Sequence, residues 1–235
     1  MHTDIVANYR EVEKRVCAAA ERAGRDPKEI MLIAVSKTKP LSDIETLAAA
    51  GVMEFGENKP QELKEKYDTV SKPVHFHQIG HLQTNKIKYV IERAVMIHSV
   101  DSLHLAEAIE KEAEKHGVTA DILIEVNEAG EETKFGVSRE ETIHLVRDIS
   151  RLPHLRIHGL MTIAPFVDDP EENREVFRAM KQLSLDIKSE KIDNVDMSVL
   201  SMGMTNDFEV AIEEGATMVR VGTAIFGARD YEITV

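Results

Sequence analysis

Residues 30–35, IMLIAV, run straight into Ser36-Lys37-Thr38-Lys39-Pro40. An apolar run of this length reads as a buried strand, which puts Lys37 where the chain leaves the core. A lysine partly desolvated at such a place has a lowered pKa and can attack a carbonyl compound to form an imine. The plainer reading of Lys37 is a solvated charge at a strand end. Lys39, followed by Pro40, reads as a solvated loop charge with at most a secondary role. Late in the chain, two further apolar runs exit into glycine-containing stretches, LSMGMTND (200–207) and RVGTAIFGAR (220–229). Ser201 offers a hydroxyl there, and Gly203 lets backbone N–H groups approach a ligand closely. Gly222 and Thr223 open a short helical turn whose N–H groups point outward. A lone glycine after a strand is ordinarily a turn residue, whereas two such loops together make a phosphate cradle. An amine facing a phosphate cradle suits a phosphorylated aldehyde, and both pyridoxal 5'-phosphate (PLP) and an aldolase sugar phosphate meet that description. Arg220 bears on the choice, because an arginine inside an apolar strand needs an acceptor. It either pairs with a barrel carboxylate such as Glu57 or Glu125, or donates to a pyridine nitrogen. In the second case the nitrogen stays unprotonated and the ring becomes a weaker electron sink.

These residues need a frame. After an opening helix over residues 3–23, short apolar runs alternate with helical patterns. The runs that read as strands are 31–36, 53–56, 75–79, 96–100, 122–126, 156–161, 195–200 and 218–221. Between them lie amphipathic segments such as DSLHLAEAIEKEAEKHG, with Leu103, Ala106, Ile109 and Ala113 on one face and Gly117 at the end. In DPEENREVFRAMKQLSLDIKSE, Asp169 can cap, Pro170 suits the first turn, and Phe177, Met180, Leu183 and Ile187 share a face. Eight strand–helix repeats in 235 residues predict an α/β fold, one closed (β/α)8 TIM barrel spanning residues 1–235 with an extra N-terminal helix. The competing architecture is an open doubly wound sheet with one strand wrongly assigned. In a barrel the carboxyl ends of the strands line the active site, and phosphate is commonly held after strands 7 and 8, where the two glycine loops fall.

Composition narrows the ligand classes. With 42 acidic against 29 basic side chains and a formal charge of −13, the chain is not expected to bind nucleic acid or an anionic membrane. An anionic ligand must therefore be held by local donors. The one cysteine, Cys17, rules out an internal disulfide framework, fits a reducing compartment and reads as a packing residue on the first helix. No apolar run reaches the roughly 18 residues of a membrane span, and a cytoplasmic protein is expected.

The stretches LIAVSKTKP, EFGEN, HFHQIGHLQTNK, TKFGV, RIHGLMTI and LSMGMTNDFEVAIEEGATMVRVGTAIFGAR together resemble the PLP homeostasis family, the YggS/PROSC type. That family has the fold-type III barrel of the alanine racemase N-terminal domain and belongs to vitamin B6 metabolism. The resemblance implies that Lys37 carries PLP as a Schiff base and that Arg220 faces the pyridine nitrogen. It further implies that Ser201, Gly203, Gly222 and Thr223 hold the phosphate, with Met202 lending a backbone donor. Asn58, in FGEN, would sit at the rim of the ring, although an Asn after a strand is as often a turn residue. The sequence departs from the family's pattern at Lys59-Pro60, where a tyrosine or similar residue is usual. His75, His77 and His81 invite a zinc reading, disfavoured because no carboxylate or cysteine stands at ligand spacing. His81, Gln83 and Asn85 either shape the mouth or cap a helix beginning near Asn85. Lys134 is either a family-like loop residue or a solvated turn lysine.

A racemase needs a base on each face of the substrate α-carbon. In the alanine racemases the second base is a tyrosine from a separate C-terminal domain, and this chain, ending at Val235, is not expected to carry that domain. None of Tyr9, Tyr67, Tyr89 and Tyr231 falls at an expected strand exit. The expected function is therefore a monomeric PLP-binding homeostasis protein with little or no turnover, exchanging cofactor with free amino acids or apo PLP-dependent enzymes. The alternatives are a low-activity PLP-dependent amino-acid racemase and a Schiff-base aldolase without the cofactor.

Overall fold

The structure, a computed structural model, describes residues 4–130 and 135–227. Eight parallel strands close into a barrel in sequence order: β1 (Met31–Val35), β2 (Glu54–Glu57), β3 (His75–Gln78), β4 (Ala94–Val100), β5 (Ala120–Glu125), β6 (Leu155–Met161), β7 (Val195–Ser201) and β8 (Met218–Val221). Closure is made by β1 against β8, with Ile33 opposite Arg220 and Ala34 opposite Val221. The open doubly wound sheet is thereby excluded. Gly56 belongs to the filled interior, since a methyl added there would meet the Ile79 and Ile33 side chains at 2.9 and 3.0 Å. Gly159 permits the closest strand approach, because a Cβ at that position would lie 1.8 Å from the Val199 carbonyl oxygen.

The outer layer comprises α1 (Ile5–Arg22), α2 (Leu41–Ala49), α3 (Pro60–Thr69), α4 (Leu103–His116), α5 (Arg139–Ile149), α6 (Arg174–Ser189), α7 (Phe208–Glu213) and α8 (Thr223–Phe226). The Asp4 carboxylate caps α1 by accepting from the Ala7 N–H at 3.0 Å, and Ile5, Tyr9, Val12, Val16, Ala19 and Ala20 form its buried stripe. This extra helix lies against α7 and α8. Arg15 and Arg22 pair with Glu209 at 2.7 and 2.9 Å, and the Asn8 amide donates to the Ile225 carbonyl at 3.0 Å. Cys17 lies half-buried on α1.

Two segments depart from the sequence expectation. The helix foreseen near Asn85 is a 3-10 turn, Thr84–Tyr89, and Gln83 before it makes no side-chain cap. Its residues mix Asn with β-branched Thr and Ile, poor helix formers, and only Ile87 is buried. Asp169 and Pro170 do open a helical segment, but it is a 3-10 turn, Pro170–Asn173, that precedes α6. The α-helix starts late because the buried Asn173 amide is held by the Pro165 carbonyl and Asp207, at 2.9 and 2.8 Å. Among the described residues no helix is long and apolar enough to cross a membrane.

Candidate functional site

Lys37 is half-buried in the turn that follows β1. The residues on either side of it are tied to α3 and β2. The Ser36 hydroxyl donates to Glu57 Oε1 at 2.6 Å, its carbonyl accepts from Lys66 Nζ at 2.8 Å, and the Thr38 N–H donates to Glu62 Oε1 at 2.6 Å. Lys66 Nζ also bridges Glu57 and Glu62 at 2.8 and 2.7 Å. Thr38 has φ of 63°, an uncommon conformation for a β-branched residue, and these bonds over-determine it. The turn is thus fixed before any ligand arrives. Burial pushes the Glu57 carboxyl above its usual range despite Lys66, and its second oxygen has no partner among the described residues.

Because β1 closes on β8, Lys37 stands beside the strand-8 loop rather than across from it as the sequence suggested. Lys39 also differs from its reading as a solvated charge. It is half-buried and donates to the Phe226 carbonyl at 3.1 Å, meeting one of the carbonyls that the end of α8 leaves open.

The two glycine loops are where the sequence put them. Gly203 has φ of 92°, and a Cβ there would lie 2.6 Å from the Ala211 methyl and 2.9 Å from the Phe208 backbone. Only glycine fits that corner. Gly222 starts α8, with its carbonyl accepting from the Ile225 and Phe226 N–H groups at 2.9 Å, and Thr223 is exposed. Two expected phosphate donors are engaged elsewhere. The Met202 N–H donates to the Met218 carbonyl at 3.1 Å, as part of the β7–β8 seam. Ser201 is fully buried at the end of β7, where its hydroxyl contacts Arg220 and His98 inside the barrel.

Arg220 donates to the Ser201 hydroxyl at 2.6 Å and to the Thr162 carbonyl at 2.9 Å, both neutral acceptors. Neither ion pair foreseen as an alternative forms: Glu57 is taken by Lys66, and Glu125 acts on Arg220 only at longer range. Burial draws Arg220 down to about 10, opposed by the charges of Glu125 and Asp207, so it stays cationic at neutral pH. Burial, then the charge of Asp101, pushes Glu125 up to about 7 against the pull of Arg220. Asn58 is half-buried with its carbonyl accepting from the Gln78 amide at 2.9 Å, and Gly80 passes so close that a Cβ would lie 2.7 Å from that carbonyl oxygen.

Histidines of HFHQIGH do not converge on a metal. His75 and His77 share Glu54 at 2.7 and 2.9 Å, while His81 stacks on Phe135 with ring centroids 3.8 Å apart. No metal-holding group of three His, Cys, Asp or Glu side chains occurs among the described residues. Gln83 and Asn85 are exposed, and Lys134, Arg229 and Tyr231 lie outside the described residues. Sequence reasoning missed His98, which is fully buried on β4 and joins His77 to Ser201. A histidine and a serine inside the apolar run around 96–100 were the available signal.

Residues 7–230 match the family described as alanine racemase, N-terminal domain. A pyridoxal phosphate homeostasis protein of Aquifex aeolicus is 45% identical over 221 residues, covering 94% of this chain and 96% of the relative. A solved protein of unknown function from Bifidobacterium adolescentis has a TM-score of 0.89 at 38% identity, with 94% of each chain covered. PipY of Synechococcus elongatus, solved with PLP bound, has a TM-score of 0.79 at 32% identity, covering 90% of this chain and all (100%) of that one.

Proposed function

The chain belongs to the pyridoxal phosphate homeostasis proteins of the alanine racemase N-terminal-domain family, and from that premise we propose that it holds PLP as a Schiff base on Lys37 with little or no turnover. The observation that carries this reading is the seam between β8 and β1. It joins two strands of which one leads into the anchored turn carrying the half-buried Lys37 and the other carries, opposite Ile33, a buried guanidinium whose hydrogen-bond acceptors are both neutral.

The residues fit the cofactor. Gly203 lets the loop after β7 turn tightly against α7, where any side chain would meet Ala211 and Phe208, and with Gly222 and Thr223 it flanks the place for the phosphate. Ser201, engaged with Arg220, serves the ring side of the site, and Met202 serves the seam. Asn58 closes the rim. PLP supplies an aldehyde that exchanges reversibly between amines. Lys37 contributes an amine that must lose its proton to react, and Arg220 contributes a donor that a pyridine nitrogen can accept only when unprotonated. A weakened electron sink disfavours loss of an α-proton from a bound amino acid. Tyr9, Tyr67 and Tyr89 lie on α1, on α3 and in the 3-10 turn after β3, away from the strand exits, so they do not offer a second base.

The test is an absorbance spectrum with added PLP before and after borohydride, followed by peptide mapping. A band near the visible edge that is reduced onto Lys37 supports the reading, and no acquired band sinks it. Rapid exchange of an amino acid's α-proton with deuterated solvent would move the protein to the low-activity racemase.

A further inference from the structure

A series of hydrogen bonds crosses the barrel interior from β2 to β8. Glu54 Oε2 meets His77 Nε2 at 2.9 Å, His77 Nδ1 meets His98 Nε2 at 2.9 Å, and His98 Nδ1 meets the Ser201 hydroxyl at 3.0 Å. Arg220 Nη1 reaches that hydroxyl at 2.6 Å. The end members fix the direction of the two outer bonds. An arginine only donates, and an ionised carboxylate only accepts. Burial pushes Glu54 up, but His77 and His75 outweigh it and leave the carboxyl below its usual value, hence ionised at neutral pH.

His77 must therefore carry its proton on Nε2. With a neutral ring, its Nδ1 accepts, so His98 carries a proton on Nε2 and accepts at Nδ1. The Ser201 hydroxyl donates to His98 and turns its lone pairs to Arg220. With both rings neutral this arrangement gives every member a partner, the Ser201 hydroxyl proton included, whereas a His77 imidazolium would reverse the bonds to His98 and Ser201 and leave that hydroxyl proton with no acceptor in the series. Full burial pushes His98 well below the usual imidazole value, and the charge of Arg220, like any proton added to His77, pushes the same way.

We propose that His98, backed by His77, is a positioning residue for Arg220: it holds the Ser201 hydroxyl as a fixed acceptor and so sets which edge of the guanidinium faces the cofactor. This inference rests on the PLP reading of the site. The barrel would otherwise have little reason to thread two neutral imidazoles toward one serine, since apolar side chains fill such interiors without a directional requirement.

The experiment has a ligand-free arm and a loaded arm. In the protein without cofactor, two-bond proton–nitrogen correlation of 15N-labelled histidines should show His77 and His98 neutral at pH 7 with Nε2 protonated. A cationic ring or the Nδ1-protonated tautomer at His98 would overturn the proposal. In PLP titrations, His98→Leu and Ser201→Ala should each weaken binding roughly tenfold and move the band of the bound cofactor. His98→Asn places an acceptor near the former Nδ1 and should bind within about twofold of native. Native-like binding and spectrum in Ser201→Ala would overturn the proposal even if His98→Leu fails to fold. If the native chain takes up no PLP, the cofactor reading falls and this positioning role falls with it, a result distinct from a wrong tautomer in a protein that binds normally.

Discussion

Replacing Lys66 by methionine tests whether the α3 network holds the lysine turn. Lys66 is 7% exposed, and its ammonium donates to Glu57, Glu62 and the Ser36 carbonyl. Methionine fills similar space without charge, leaving the fully buried Glu57 with no cation. Removing one partner of a buried pair typically costs about 3–5 kcal/mol. Protonation of Glu57 limits that loss. Keeping a carboxyl of ordinary pKa 4.5 neutral at pH 7 costs about 3.4 kcal/mol. The expected deficit at pH 7 is therefore about 3 kcal/mol, a fall of roughly 6–12 °C in Tm for a chain of this size. The sign with pH follows from linkage. The folded variant binds a proton that the unfolded chain releases above its ordinary carboxylate pKa, so the variant loses stability as pH rises from 4.5 toward 7. At pH 5 the deficit should shrink to about 1 kcal/mol, and Glu57→Gln in the same chain should remove most of it at pH 7. Thermal unfolding followed by circular dichroism at both pH values measures this. An equal deficit at pH 5 and pH 7, or no recovery in the double variant, would refute the reasoning.

Other substitutions probe the remaining walls of the site. Gly203→Ala forces a side chain into φ of 92° and against Ala211, so it should destabilise by about 2 kcal/mol or more and abolish PLP uptake; native-like titration would contradict the cradle. Glu125, raised to about 7, is a carboxylate the folded state prefers protonated, so its ionisation removes stability as pH rises from 4.5 through 7. Glu125→Gln should match native below pH 4.5 and exceed it by about 3 kcal/mol at pH 8, and parallel stability–pH curves from thermal unfolding would be the contrary result.

The barrel was legible because its signals are local. Apolar runs marked all eight strands to within about two residues at each end, and 218–221 matched β8 in full. Lys37, Gly203 and Gly222 were legible for the same reason, since a strand exit can be seen in the chain itself. What escaped was set by register. Glu62 and Lys66 form a visible i,i+4 pair on α3, but their third member, Glu57, comes from β2. His98 was passed over because its partner His77 comes from the neighbouring strand β3, 21 residues earlier in the chain, and is brought to it only by the β3–β4 pairing. Ser201 was assigned outward to the phosphate because spacing alone does not tell which face of β7 its hydroxyl takes.

These non-local contacts converge on the turn after β1, the start of α8 and Arg220, and that bears on how the proposed carrier would work. The Lys37 turn is held by α3 through Glu62 and Lys66. Two carbonyls of α8 are held from outside, Ile225 by Asn8 of α1 and Phe226 by Lys39. Arg220 is held from within through Ser201 and His98. The extra N-terminal helix thus has a task beyond covering the barrel, because it holds α8, at the start of which the proposed phosphate donors lie. A site ordered this way loses little conformational entropy on binding, so a few polar contacts suffice for affinity. On the proposed reading, covalent capture rests on one amine on the turn after β1, and a single reversible bond is what a protein needs in order to hold a reactive aldehyde and still release it.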